Sequence, residues 1–77
     1  MFAEIITPEK TLFSGEITYM KLPGSAGIFE VLKNHAPIVS TLDAGTVKIR
    51  KQEGGEENFQ VNSGFVEVLH NKIIVLV

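Results

Sequence analysis

Thr46-Val47-Lys48-Ile49-Arg50 and Asn58-Phe59-Gln60-Val61-Asn62 alternate apolar and polar side chains. Period two is the mark of a strand with one face buried and the other wet. Between them, Glu53-Gly54-Gly55-Glu56 offers a loop able to take positive φ. The pair is therefore expected to form a hairpin, with Phe59 and Val61 facing Val47 and Ile49. Gly64 to Leu69 and Lys72 to Val77 flank His70-Asn71, and Asn tolerates left-handed backbone, so a tight two-residue turn is expected there. The last strand is nearly all apolar and is expected to be covered on both faces, with Val75 inside a sheet. Near the start, Phe2 to Ile6 reads as a strand and Thr7-Pro8-Glu9-Lys10 as its turn. Thr11 to Ser14 follows as a short strand broken at Gly15. Glu16 to Leu22 is another, closed by Pro23-Gly24.

The composition agrees. Eight Val, eight Ile and five Thr supply side chains that are stiff at χ1 and pack well on a pleated surface. Gly and Pro recur at intervals too short for helices as far as Gly64. The expected fold class is all-β: a two-sheet sandwich or flattened barrel of about 8–10 short strands, with no substantial helix. Glu30 to Lys33 can form one helical turn at most. At 77 residues the chain is expected to be a single domain, residues 1–77, without repeats or a linker.

Candidate chemistry is sparse. Cysteine is absent, which removes disulfides and thiolate metal sites. A net charge of −2 disfavours non-specific nucleic-acid binding, which relies on Lys and Arg against phosphates. The longest apolar run, Ile73 to Val77, is too short to span a bilayer. Met-Phe-Ala-Glu lacks the basic flank and apolar core of a signal peptide, and a reducing, cytoplasmic compartment is expected. Ser40, His35 and Asp43 can be written as a triad, but no Gly-x-Ser-x-Gly motif accompanies them. His35 and His70 lack the further ligands a metal needs. Gly24-Ser25-Ala26-Gly27 lacks the Gly-Lys-Ser/Thr ending of a phosphate cradle and is better read as a turn joining two strands. Lys21 invites comparison with biotinyl and lipoyl carrier domains, whose modified lysine sits at a hairpin tip. Here the pattern places Lys21 in mid-strand. Glu53, Glu56 and Glu57 read as a solvated hairpin tip. No catalytic, cofactor-binding or metal-binding residue is expected.

The most informative stretch runs from Pro23 to Arg50. It contains Pro23-Gly24, Gly27, Phe29, Val31-Leu32, His35-Ala36-Pro37, Ile38-Val39 and Gly45-x-Val47-x-Ile49-Arg50. It resembles the epsilon subunit of F-type ATP synthases (delta in mitochondrial naming). That family's pattern is roughly Pro-Gly-x-x-Gly-x-Phe-Gly-Val-Leu-x-x-His-Ala-Pro, an apolar strand, then Gly-x-Val-x-Ile-Arg. Ile6-Thr7-Pro8-Glu9, Leu12 to Glu16, Ser63 to Val68 and Val75-Leu76-Val77 extend the likeness over nearly the whole chain. Two positions depart from the pattern: Glu30 stands for the usual Gly and Lys33 for a common Pro.

The resemblance implies a rotor component, an N-terminal β-sandwich at the foot of the central stalk that performs no chemistry itself. It implies a gamma-subunit contact through Asn34, His35, Ala36 and Pro37. It implies a c-ring contact through the loop Ser25, Ala26, Gly27, Ile28, Phe29 and Glu30. Coupling of proton-driven rotation to ATP synthesis follows, peripheral to the cytoplasmic face of the bacterial inner membrane and without direct insertion. The family's C-terminal helical hairpin, which inhibits hydrolysis and in some members binds ATP, has no counterpart within these residues. Neither self-inhibition nor nucleotide binding is therefore expected of the chain. The alternative is a small all-β carrier or binding domain, with Lys21 as its modified residue. Without the family, His35 reads as a hydrogen-bonded turn histidine and Phe29 and Leu32 equally well as core.

Overall fold

The computed structural model describes residues 1–77, which form eight strands and no helix. They are β1 (Phe2–Ile6), β2 (Thr11–Gly24), β3 (Gly27–Leu32), β4 (Ile38–Leu42), β5 (Gly45–Lys51), β6 (Glu56–Val61), β7 (Gly64–Leu69) and β8 (Lys72–Leu76). Their order is β1-β8-β7-β4-β2-β5-β6, with β3 added on β2 and a further β1–β2 pairing. That last pairing turns the path β1-β8-β7-β4-β2 back onto β1. A single sheet thus folds over itself into the flattened barrel that the strand count suggested.

β2 does most of the folding over. Its first half pairs with β1, its second half with β3 and β5, and its last residue, Gly24, with Leu42 of β4. Two bulges let one strand serve so many neighbours. Thr11 and Phe13 oppose the consecutive residues Ile6 and Ile5, leaving Leu12 extra. Ile17 and Tyr19 oppose the consecutive residues Lys51 and Arg50, leaving Thr18 extra. A bulge bends its strand and increases the local twist. It also resets the inward side, so that Ile17 points into the core before it and Met20 and Leu22 after it.

Three elements differ from what the sequence pattern predicts. The expected break at Gly15 does not occur: Gly15 pairs with Ala3 in an unbroken fourteen-residue strand. The Phe13 ring lies 3.4 Å from where a Gly15 Cβ would stand, covering the gap a strand glycine leaves. Pro23-Gly24 does not close β2 early, because both pair across to Ile28 and Gly27 of β3. The last strand is covered on one face only. Ile73 and Val75 are fully buried, whereas Lys72 and Leu76 face outward. Val75 does lie inside the sheet, between Ile5 and Val66.

The core is wholly aliphatic apart from Met20. Fourteen residues make it up, including Ile5, Ile17, Leu22, Val31, Val47, Ile49, Val66, Ile73 and Val75, and no polar or charged residue is buried. Val47 does face Phe59 as the alternation required, while Val61 lies opposite Gly45 and Ile49 opposite Glu57. His70 and Asn71 both take positive φ, 51° and 59°, the type I′ signature that suits the right-handed twist of a hairpin.

Candidate functional site

The family-implied contact residues fall in two places, at the two ends of β3. At its start, Ser25 and Ala26 form a two-residue turn between the paired glycines Gly24 and Gly27. Gly27 has a φ of 138°, a conformation L side chains avoid. The family resemblance implies a loop over Ser25 to Glu30. Instead Gly27, Ile28, Phe29 and Glu30 belong to β3, because they ladder onto β2.

The turn is tied to the β4–β5 junction. Ser25 N donates to Thr41 O at 2.9 Å, Ser25 Oγ to Asp43 Oδ1 at 3.0 Å, and Thr41 Oγ1 to Ser25 Oγ at 2.8 Å. Ile28 stands 70% exposed beside it, a large apolar side chain with no cover. Phe29 points the other way and packs against the core. An open groove of about 520 Å³ runs alongside, where Lys21, Lys48 and Asp43 present charges of both signs.

Glu30 has a structural use. Its carboxylate accepts a 2.5 Å hydrogen bond from the Tyr19 hydroxyl across the β2–β3 pair. Tyr19 is buried, but not by the core: the Arg50 guanidinium stacks 4.3 Å from its ring centroid. Arg50 Nε in turn donates to Glu56 at 2.8 Å, and Lys48 lies 3.6 Å from the same carboxylate. A ladder of side chains therefore crosses four adjacent strands, β3-β2-β5-β6. The Glu30 hydrogen bond raises the Tyr19 phenol above its ordinary range, with partial burial adding to the effect. The Arg50 hydrogen bond holds Glu56 below the usual carboxylate range. Glu56 is thus a paired strand residue rather than the solvated tip residue the sequence suggested.

At the other end of β3, Asn34, His35, Ala36 and Pro37 lead into β4. Asn34 has a φ of 64°, and His35 N donates to Leu32 O at 3.1 Å. His35 Nδ1 lies 2.6 Å from Ala36 O, which places the neutral ring's proton on Nδ1 and leaves Nε2 as an acceptor. Asn71, in the β7–β8 turn, reaches across. Its Oδ1 accepts from Asn34 N at 2.8 Å and its Nδ2 donates to Asn34 Oδ1 at 3.0 Å. Sequence reasoning missed Asn71 because nothing local links two asparagines 37 positions apart. Apolar side chains flank the loop: Leu32 at 55% exposure, Val39 at 60%, and Leu69, diagonal to Val39 on the outer face of the β4–β7 pair. The even choice between core and surface resolves as Phe29 in and Leu32 out.

The paper triad does not assemble. Ser40 Oγ donates to Thr41 O, His35 turns to Ala36 O, and Asp43 accepts from Ser25. No group of three or more His, Cys, Asp or Glu side chains is placed to hold a metal ion. Lys21 lies in mid-strand, paired with Glu30 on one side and Lys48 on the other, not at a hairpin tip where a modifying enzyme reaches.

Comparison with known proteins decides the family. The model described as "ATP synthase, Delta/Epsilon chain, beta-sandwich domain" matches residues 1–77. The chain belongs to the ATP synthase delta/epsilon family. It is 42% identical over 73 residues to an ATP synthase epsilon chain of Chlorobium limicola, covering 95% of this chain and 83% of that one. It is 46% identical over 72 residues to one of Leptospira borgpetersenii, covering 94% of this chain but 56% of that one. Among solved structures, a chain of the Euglena gracilis mitochondrial ATP synthase OSCP/F1/c-ring assembly superposes with a TM-score of 0.88 at 16% identity, covering 97% of this chain and 48% of that one. A chain of the Tetrahymena thermophila mitochondrial ATP synthase central stalk/c-ring superposes at 0.82 with 20% identity, covering 100% of this chain and 62% of that one. At such identities the two structures speak for the fold. This delta/epsilon domain thus keeps its shape where most of its residues differ.

Proposed function

We propose that the chain is a non-catalytic rotor component of an ATP synthase. In this reading Asn34, His35, Ala36 and Pro37 meet a gamma-type subunit, and Ser25, Ala26, Gly27, Ile28, Phe29 and Glu30 face the c-ring. Phe29 contributes by bracing β3 from within, since its ring packs on the core. The domain couples proton-driven rotation to ATP synthesis, peripheral to the cytoplasmic face of a bacterial inner membrane. The observation that carries the reading is the family match along the full length, residues 1–77. The architecture supports it. The exposed apolar side chains Ile28, Leu32 and Val39 lie at or beside the two proposed contacts, where a partner can cover them.

The test is co-purification with gamma and c-ring subunits, comparing the wild type with Ile28→Glu and His35→Glu. Both side chains lie outside the core, so both variants are expected to keep the wild-type circular dichroism and to lose partner. Normal assembly of both variants refutes the contact assignment. Failure of the wild type to associate with any rotor subunit returns the chain to a small all-β binding module.

A further inference from the structure

The pair formed by Asn34 and Asn71 serves no need of the turn that carries Asn71. That turn is already fixed by the β7–β8 ladder and by Phe2 N donating to the Asn71 carbonyl at 3.0 Å. At a φ of 59°, glycine would suit position 71 at least as well as asparagine. The side chain instead works outward, on the loop that holds His35. Apart from its two bonds to Asn34, that loop's hydrogen bonds are local in sequence: His35 N to Leu32 O at the end of β3, and the imidazole to Ala36 O. Asn71 is therefore the one polar tie between the Asn34–Pro37 segment and any strand or turn other than β3, which it directly follows.

We propose that Asn71 is a positioning residue for partner recognition, its amide holding the His35 loop in the shape a gamma-type subunit binds. The inference rests on the gamma contact proposed above. The amide engages both the backbone N–H and the side chain of Asn34, so it fixes the left-handed conformation of the residue just before His35. Released, the loop samples other conformers, and apparent affinity falls by the fraction that remains competent. If that fraction drops to about a tenth, the apparent Kd rises about tenfold.

Asn71→Gly keeps the turn and deletes both side-chain bonds. The expected result is a roughly tenfold weaker Kd for the gamma-type subunit, an unchanged melting temperature of the free chain, and faster amide exchange at Asn34. Asn71→Asp tolerates positive φ and retains the acceptor for Asn34 N–H, and is expected to restore most of the affinity. Asn34→Gly removes only the bond from Asn71 Nδ2 to Asn34 Oδ1 and keeps the backbone N–H bonded to Asn71 Oδ1. It stands in for Asn71→Gly, if that variant is unstable, with amide exchange at residue 34 as its readout and a smaller expected loss of affinity. His35→Ala is the control for the interface itself. If His35→Ala weakens binding and Asn71→Gly does not, the positioning role is wrong while the contact stands. If neither weakens binding, the loop lies outside the interface and both readings fall. A loss of affinity that merely tracks a loss of melting temperature also overturns the proposal.

Discussion

Gly24 offers the sharpest test of how the barrel closes. It pairs with Gly27 to end the β2–β3 hairpin and with Leu42 as the single register point between β2 and β4. A Cβ built on it would stand 2.7 Å from the Gly27 carbonyl oxygen and 2.8 Å from two atoms of the Phe29 ring. The Gly24 backbone lies outside the left-handed region, so the penalty of Gly24→Ala is steric. Neither neighbour yields easily: one is backbone in the same ladder, and the other packs against the core. Overpacking of this kind costs about 1–3 kcal/mol. A domain this size has only roughly 4–12 kcal/mol in total, and each kcal/mol moves Tm by about 4–8 °C. Gly24→Ala is expected to lower Tm by roughly 5–20 °C, read by circular dichroism. Gly15→Ala is the matched control in the same strand. Its new Cβ meets only the Phe13 ring, at 3.4 Å. The loss of unfolded-state entropy then favours the variant by about 0.4–1 kcal/mol. Opposite signs are expected. A Gly24→Ala protein melting within about 2 °C of wild type, or as high as Gly15→Ala, refutes the packing argument.

Other perturbations read other parts of the molecule. Ile49→Ala empties a fully buried site opposite Met20 and is expected to cost about 2–5 kcal/mol, enough to leave the domain partly unfolded in urea titrations at low denaturant. Glu56 has its carboxyl depressed below 4.5 in the folded chain, chiefly by the Arg50 hydrogen bond. Its contribution to stability is therefore present above that value and lost as pH falls through the lower folded one. Tm against pH should drop less steeply below pH 4.5 in Glu56→Gln than in wild type, and an unchanged slope counts against the pair. The phenol of Tyr19, the single tyrosine, is raised above 10.0 first by its bond to Glu30. Ultraviolet titration of Glu30→Gln should show an earlier inflection than wild type, and a later one contradicts the assigned bond.

Period-two alternation located β5 and β6 because each buries one face and wets the other. The His70-Asn71 turn was legible because few residues accept two successive positive φ angles. β3 was not legible: Gly27 to Leu32 carries apolar side chains on both faces, with Val31 buried while Ile28 and Leu32 are exposed. Exposed apolar residues look, in sequence, like apolar residues of a core. The continuity of β2 was hidden by Gly15 and Pro23, which end strands locally but are accommodated here by the Phe13 ring and by the pairing of Pro23 with Ile28. The proposed contact residues entered through family likeness alone, since nothing in their pattern separates them from ordinary turn, surface or core residues. The ties that shape them, Ser25 to Asp43 and Asn34 to Asn71, join residues 18 and 37 positions apart and leave no local trace.

If the proposed contacts hold, β3 carries a mechanical role that neither contact has alone. The ring-facing turn enters it at Gly27 and the gamma-facing loop leaves it at Leu32. Six residues of strand span about 17 Å, much of a body measuring 27 × 26 × 18 Å. Six consecutive pairs, from Gly24–Gly27 to Tyr19–Leu32, bind β3 to β2 without a bulge. Both bulges of β2 lie outside that stretch, so the compliant points of the strand are kept away from the segment between the contacts. The Tyr19–Glu30 bond and the Arg50 stack then tie the middle of β3 to β5 and β6. A load applied at Ile28 is carried along β3 as strain shared by hydrogen bonds in shear, which must fail together rather than one by one. A hinge between the contacts would absorb rotation as bending. Glycine at position 30 supplies no carboxylate to Tyr19. Glu30→Gly should therefore accelerate amide exchange along Ile28 to Val31. Unchanged exchange along that stretch would remove the ladder from the account of stiffness.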